Sequence, residues 1–167
     1  MKIGTVLFDQ SKGAAVVTLA EEDGERVLPI FIGIAEGMAI FRELNRTPSQ
    51  RPLMHDLFHT ILQGLQTRIE KVVVDSMSDT TFYARLYLRQ QETLVIADAR
   101  PSDAVALAVK FQAPLYVAEA VLQAAGKRGD FSVPTAETRP QQRDAESEED
   151  LRDWLDNIRP EDFADPQ

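Results

Sequence analysis

"RIEKVVVDSMSDTTFYARLYLR" (Arg68–Arg89) decides the fold class. Its first part is rich in β-branched residues. Its last part alternates, with Phe82, Ala84, Leu86 and Leu88 on one face and Tyr83, Arg85 and Tyr87 on the other. Only the turn-like Ser78-Asp79 separates the two runs, so they read as an antiparallel hairpin.

A third strand, "ETLVIADA" (Glu92–Ala99), follows. Upstream, "KIGTVLF", "GAAVVTLA" and "RVLPIFIG" are three more short strands, separated by "DQSKG" and "EEDGE". Between the two strand sets, Ile34, Met38, Phe41 and Leu44 are spaced for a helix, which the prolines of "NRTPSQRP" end. A second helix starts within "RPLMHDLFHTIL" (Arg51–Leu62) and closes near Gly64. A third lies in "PSDAVALAVKFQ", with Pro101 and Ser102 at its start and Asp103 placed to favour the positive end of its dipole. "APLYVAEAVLQAAG" gives a last short strand and a helix ending at Gly126. The order β-β-β-α-α-β-β-β-α-β-α predicts an α+β fold, a mostly antiparallel or mixed sheet with helices packed on it.

The composition shifts after Gly126. Residues 127–149 are polar and read as an acidic linker. Residues 150–167 form a tail in which Leu151, Trp154, Leu155 and Ile158 fall at helical spacing before Pro160. So short an amphipathic helix is marginal alone, and it should dock on this domain, a sister subunit or a partner.

The chain is one domain by length, 167 residues with 44% hydrophobic and 27% charged. It has no cysteine, which excludes disulfides, thiolate metal sites and thiol nucleophiles. No secretion signal or membrane-length apolar run occurs, and a cytoplasmic location with no membrane partner is expected. Residues 1–130 carry 14 Lys/Arg against 16 Asp/Glu, and residues 131–167 carry 4 against 11. Bulk charge therefore repels phosphate, and nucleic-acid binding has to rest on a local site. The absence of a glycine-rich phosphate loop, a G-x-S-x-G elbow and G-x-G-x-x-G argues against three large enzyme classes.

His55 and His59 stand four apart on the second helix, as in zinc helices. Zinc wants a third protein ligand, and the chain has no other His and no Cys. Helical geometry puts Leu57, Phe58, Ile61, Leu62 and Leu65 on one buried arc, with His55 at its boundary and His59 on the surface. Around "ADARPSDA", Asp98, Arg100, Ser102 and Asp103 crowd a strand-to-helix junction whose free N–H groups suit an anion. The competing reading there is a capping Ser102, a dipole-complementing Asp103 and a paired Arg100. The Tyr83-Arg85-Tyr87 row suits either base stacking around a phosphate or a subunit interface. Asp75 and Asp79 bracket a turn where Mg²⁺ or purely local turn chemistry would explain them.

Four segments in this order, "LPIFIGIAEGMAI", "RPLMHDLFHTIL", "TFYARLYL" and "DARPSDAVALAVKFQAPLYVAEAVL", resemble the bifunctional nuclease (BFN) domain family over roughly residues 1–126. The closing "IRPEDF" also looks like the end of short bacterial members. The resemblance implies an α/β-roll domain, homo-oligomers, and cleavage of DNA and RNA. Carried over position by position, the matching polar residues are Glu36, His55, Asp56, Arg85, Asp98, Arg100, Ser102, Asp103 and Glu119. Two departures stand out: Met54 replaces a Ser or Thr expected before His-Asp, and His59 lies outside the pattern.

These readings yield one enzymatic expectation. His55, Asp56, Arg100 and Asp103 would be catalytic, and Tyr83, Arg85 and Ser102 would contact DNA or RNA. Asp98 and Asp103 would hold Mg²⁺ or Mn²⁺. The alternative is a non-catalytic oligomeric binding or regulatory module.

Overall fold

A computed structural model describes residues 1–9, 11–23 and 25–128. The linker and amphipathic tail expected beyond them lie outside the described residues. Two four-stranded sheets carry the fold. In the first, β1 (Lys2–Asp9), β2 (Ala14–Ala20) and β3 (Arg26–Gly33) form an antiparallel meander, and β8 (Lys127–Arg128) pairs with the start of β3. The strand β8 was not expected from the sequence, where these two residues open the linker. In the second, β6 (Thr93–Ala99), β5 (Thr81–Gln90) and β4 (Thr67–Ser78) are antiparallel, and β7 (Leu115–Val117) runs parallel to β4. Helices α1 (Ile34–Leu44), α2 (Met54–Gly64), α3 (Pro101–Phe111) and α4 (Glu119–Ala125) complete the α+β fold. None of the described helices is long and apolar enough to cross a membrane.

The helix α3 is the hub. It touches α1, α2, β4 and β5, and buries Ser102, Ala104, Val105, Ala106, Leu107 and Ala108. Alanines on this helix let neighbouring backbones approach closely. One hydrophobic cluster thus runs from Leu19 and Leu28 through Val105 to Val72 and Val74. On the first sheet, Gly37 does the same for α1. A Cβ there would lie 2.6 Å from the Ala15 Cβ and 3.1 Å from Phe8 Cε1.

The alternation read in β5 holds: Ala84 and Leu86 are buried, while Tyr83 and Arg85 are exposed on the other face. At the turn Asp79 takes φ 53°, a left-handed conformation Asp tolerates. A bulge between Val74 and Ser76 leaves Asp75 outside the pairing with β5.

The expected buried arc of α2 is corrected. Leu62 is buried, but Leu57, Ile61 and Leu65 are exposed. His59, expected on the surface, is half-buried with its ring 4.7 Å from that of Phe111. At about 100° per residue, the inward arc is Phe58, Leu62, His55 and His59, turned roughly 80° from the purely apolar reading. Two contacts with α3 account for this turn: the ring pair His59–Phe111, and Asp56 bonded to Lys110 at 2.6 Å.

Candidate functional site

The site forms where two helices begin. The strand β6 ends at Ala99, and Arg100 is the N-cap of α3 with extended backbone (φ −66°, ψ 145°). Pro101 follows, where its missing N–H costs nothing. Contrary to the capping expectation, Ser102 makes no cap hydrogen bond and is buried. The first turn of α3 supplies Asp103, and the first turn of α1 supplies Glu36.

Arg100 joins these carboxylates. Its Nε donates to Asp103 Oδ2 at 2.8 Å and its Nη2 to Asp103 Oδ1 at 3.1 Å, a fork-like pair. Its Nη1 donates to Glu36 Oε1 at 3.0 Å. The bonds to Asp103, and then Glu36, hold the guanidinium well above its ordinary pKa, so it stays charged. A guanidinium has five N–H donors. Three are used here, so among the described residues two remain. The side chain is 65% exposed at a crevice of about 340 Å³, lined also by Gly33, Glu36, Thr80, Thr81 and Ser102.

His55 joins from α2, with Nε2 3.8 Å from Asp103 Oδ1. Its side chain is 16% exposed, against 34% for Asp103. Among the charged candidates named from the sequence, His55, Arg100 and Asp103 therefore converge, together with Glu36.

Asp56 points into a different network. Its Oδ2 accepts the N–H of Leu53, the N-cap of α2, at 2.7 Å, and its Oδ1 lies 2.6 Å from Lys110 Nζ. Met54, where a capping Ser or Thr was expected, is already the first residue of the helix. The Lys110 ammonium, then the Leu53 N–H, hold its carboxyl below the usual range. Lys110 is also bonded to Glu43 at 2.8 Å. Partial burial lowers the Lys110 pKa, but the bonds to Asp56 and Glu43 outweigh this and raise it.

Asp98 and Arg85 lie opposite each other on the exposed face of the second sheet. There the bulged Asp75 takes Arg85 at 2.6 Å, Glu70 takes Arg89 at 3.1 Å, and Lys71 sits 4.5 Å from the Tyr87 ring centre. Tyr83 is exposed on this face. Arg85, Arg89 and Lys71 thus have partners, whereas Arg68, opposite Arg89, makes no ion pair among the described residues. Glu119, at the start of α4, pairs instead with Arg26 of β3 at 2.7 Å, a scaffold contact.

For Mg²⁺ or Mn²⁺ the donor set does not fit a ready-made centre. Among the described residues, no group of three His, Asp or Glu is placed to hold a metal ion. Both Asp103 and Glu36 are occupied by Arg100. Sequence reasoning missed Lys110 and the crevice threonines, because no local motif marks a partner supplied by another element.

Residues 17–129 match the bifunctional nuclease domain. The chain belongs to the bifunctional nuclease domain family. Glu36, His55, Arg100 and Asp103 all fall inside the matched stretch. An uncharacterized protein of Mycobacterium tuberculosis (strain H37Rv) is 34% identical over 164 residues, 98% of this chain and 96% of the relative. That alignment extends into the acidic tail. Bifunctional nuclease 1 of Oryza sativa subsp. indica is 24% identical over 114 residues, 66% of this chain and 34% of the rice protein. A bifunctional nuclease of Oryza minuta is similar to the same extent.

Proposed function

We propose that this chain hydrolyses phosphodiester bonds of DNA and RNA, in the cytoplasm, at the Glu36–His55–Arg100–Asp103 cluster. The observation that carries the reading is the guanidinium of Arg100, fixed by three of its five N–H donors and lining the crevice. Its two remaining N–H groups would grip a phosphate oxygen and offset charge in the transition state. His55 is the general base that takes the proton of the attacking water. The Asp103 carboxylate, 3.8 Å away, stabilises the imidazolium as it forms. Ser102 lines the same crevice, where it would contact the substrate. Asp56 is a positioning residue, since it fixes the turn of helix that carries His55.

The test is cleavage of DNA and RNA by protein free of host nucleases, with Mg²⁺, with Mn²⁺ and with EDTA. Loss of cleavage in a folded Arg100→Gln variant supports the reading. No cleavage by the wild type under any of the three conditions sinks it, and the EDTA arm separates metal-assisted from metal-free chemistry.

A second reading is an oligomeric binding module. It is favoured by the outer face of the second sheet, where Tyr83, Tyr116, Leu94 and Ile96 are exposed and Arg85 and Arg89 are tied to carboxylates. Such a face suits a copy of the chain better than a phosphate backbone. On this reading Tyr83 and Arg85 are interface residues.

A further inference from the structure

The helix α2 presents to solvent the apolar stripe its sequence would be expected to bury. Leu53, Leu57, Ile61 and Leu65 recur every fourth residue and are 42%, 50%, 48% and 53% exposed, with Met54 beside them at 73%. The inward side of the same helix is already filled by Phe58, Leu62 and the two histidines. An apolar stripe of this length on one helix marks a contact that something covers.

We propose that residues 150–159 of the chain's own tail cover this stripe, in the same subunit. Three observations select this occupant. First, Leu151, Trp154, Leu155 and Ile158 recur at intervals of three and four, the pattern that matches a helical stripe. Secondly, the charges are complementary. Residues 148–162 carry seven Asp/Glu against two Arg. In sequence, α2 and its flanks (residues 45–68) carry Arg46, Arg51 and, at the start of β4, Arg68, against Asp56 alone, and Asp56 is tied to Lys110. The side chains of Arg46, Arg51 and Arg68 are exposed and make no ion pair among the described residues. Thirdly, the tether is 22 residues long. Residues 129–150 separate β8 from Leu151. A flexible chain of that length spans roughly 25 Å root-mean-square, comparable with a domain of this size. The whole-length similarity to the mycobacterial relative takes in this segment as well.

Trp154 is the one tryptophan of the chain, so its fluorescence reports the contact directly in the full-length protein. The expected result is a blue-shifted emission with weak acrylamide quenching, independent of protein concentration. Leu57→Asp and Ile61→Asp should each shift the emission to the red and raise the quenching constant several-fold. Circular dichroism would confirm that these exposed substitutions leave the fold intact. Arg51→Glu with Arg68→Glu should do the same more weakly, and salt should mimic the effect.

A wild-type Trp154 as accessible as a free indole overturns the proposal. An Ile61→Asp variant that leaves Trp154 unchanged also overturns it. If that variant instead lowers the oligomeric mass in sedimentation while Trp154 stays unchanged, the stripe belongs to a second copy and the proposal fails.

Discussion

The ring of His59 lies 4.7 Å from the ring of Phe111 and tilted 53° to it, so a histidine outside the family pattern helps fasten α2 to α3. An offset ring pair of this kind contributes about 1 kcal/mol beyond its buried area. His59→Ala should lower stability in urea denaturation by about 1–2 kcal/mol. Because the same contact helps turn His55 inward, any nuclease activity should fall together with stability. A selective loss of cleavage without loss of stability would contradict this assignment.

That ring pair also marks the limit of what the sequence made legible. Strand alternation in β5 was readable because its period of two depends only on the local chain, and Ala84 and Leu86 are buried as it requires. The orientation of α2 was not. Its apolar residues span a wide arc, and the neighbour α3 chose which half turned inward, through Phe111 and Lys110. In the same way the "DARPSDA" junction could be recognised as a candidate site. Yet the partner that fixes Arg100 on its far side, Glu36, is 64 residues away, and only the family resemblance had pointed to it.

Arg100→Gln should reduce cleavage of both DNA and RNA oligonucleotides about 100-fold or more, the scale of losing one preorganised oxyanion donor. Arg100→Lys should fare little better, because one ammonium cannot reproduce the fork on Asp103 and still face the crevice. Thermal melting should hardly change in either, since the guanidinium is solvent-exposed. Equal cleavage by wild type and Arg100→Gln would remove Arg100 from the chemistry.

The Asp56–Lys110 bond predicts a pH signature. The Asp56 carboxyl is held below its ordinary value, first by Lys110 and then by the Leu53 N–H. Its contribution is therefore complete above the unfolded value of about 3.9, and is lost as pH falls through the lowered folded value. Asp56→Asn keeps a capping acceptor but removes the charge. It should cost about 1–2 kcal/mol at pH 7. The gap to wild type should close as denaturation curves are taken down toward pH 3. A gap that does not depend on pH would mean the ion pair contributes nothing.

Gly37→Ala tests the contact between α1 and the first sheet. Alanine gains up to about 1 kcal/mol of helix propensity, but overpacking against Ala15 and Phe8 costs about 1–3 kcal/mol. The expected net is a destabilisation of about 1 kcal/mol in urea, and Gly37→Val should be far worse. A stabilised Gly37→Ala would show that α1 can lift off β1 and β2 without penalty.

The two sheets draw their strands from the chain in the same way. Within each, the first three strands are consecutive, so both meanders consist of contacts between near neighbours in sequence, which form early and quickly. Only the late segments β7 and β8 are added from a distance, one to each sheet. Because α3 packs on β4 and β5 and also on α1, the helix that covers the first meander, it joins the two halves into one hydrophobic cluster. Folding of residues 1–128 is thus expected to be gated by a single docking event. Its reversal would unmake both halves together, so a fragment carrying either meander alone should not persist.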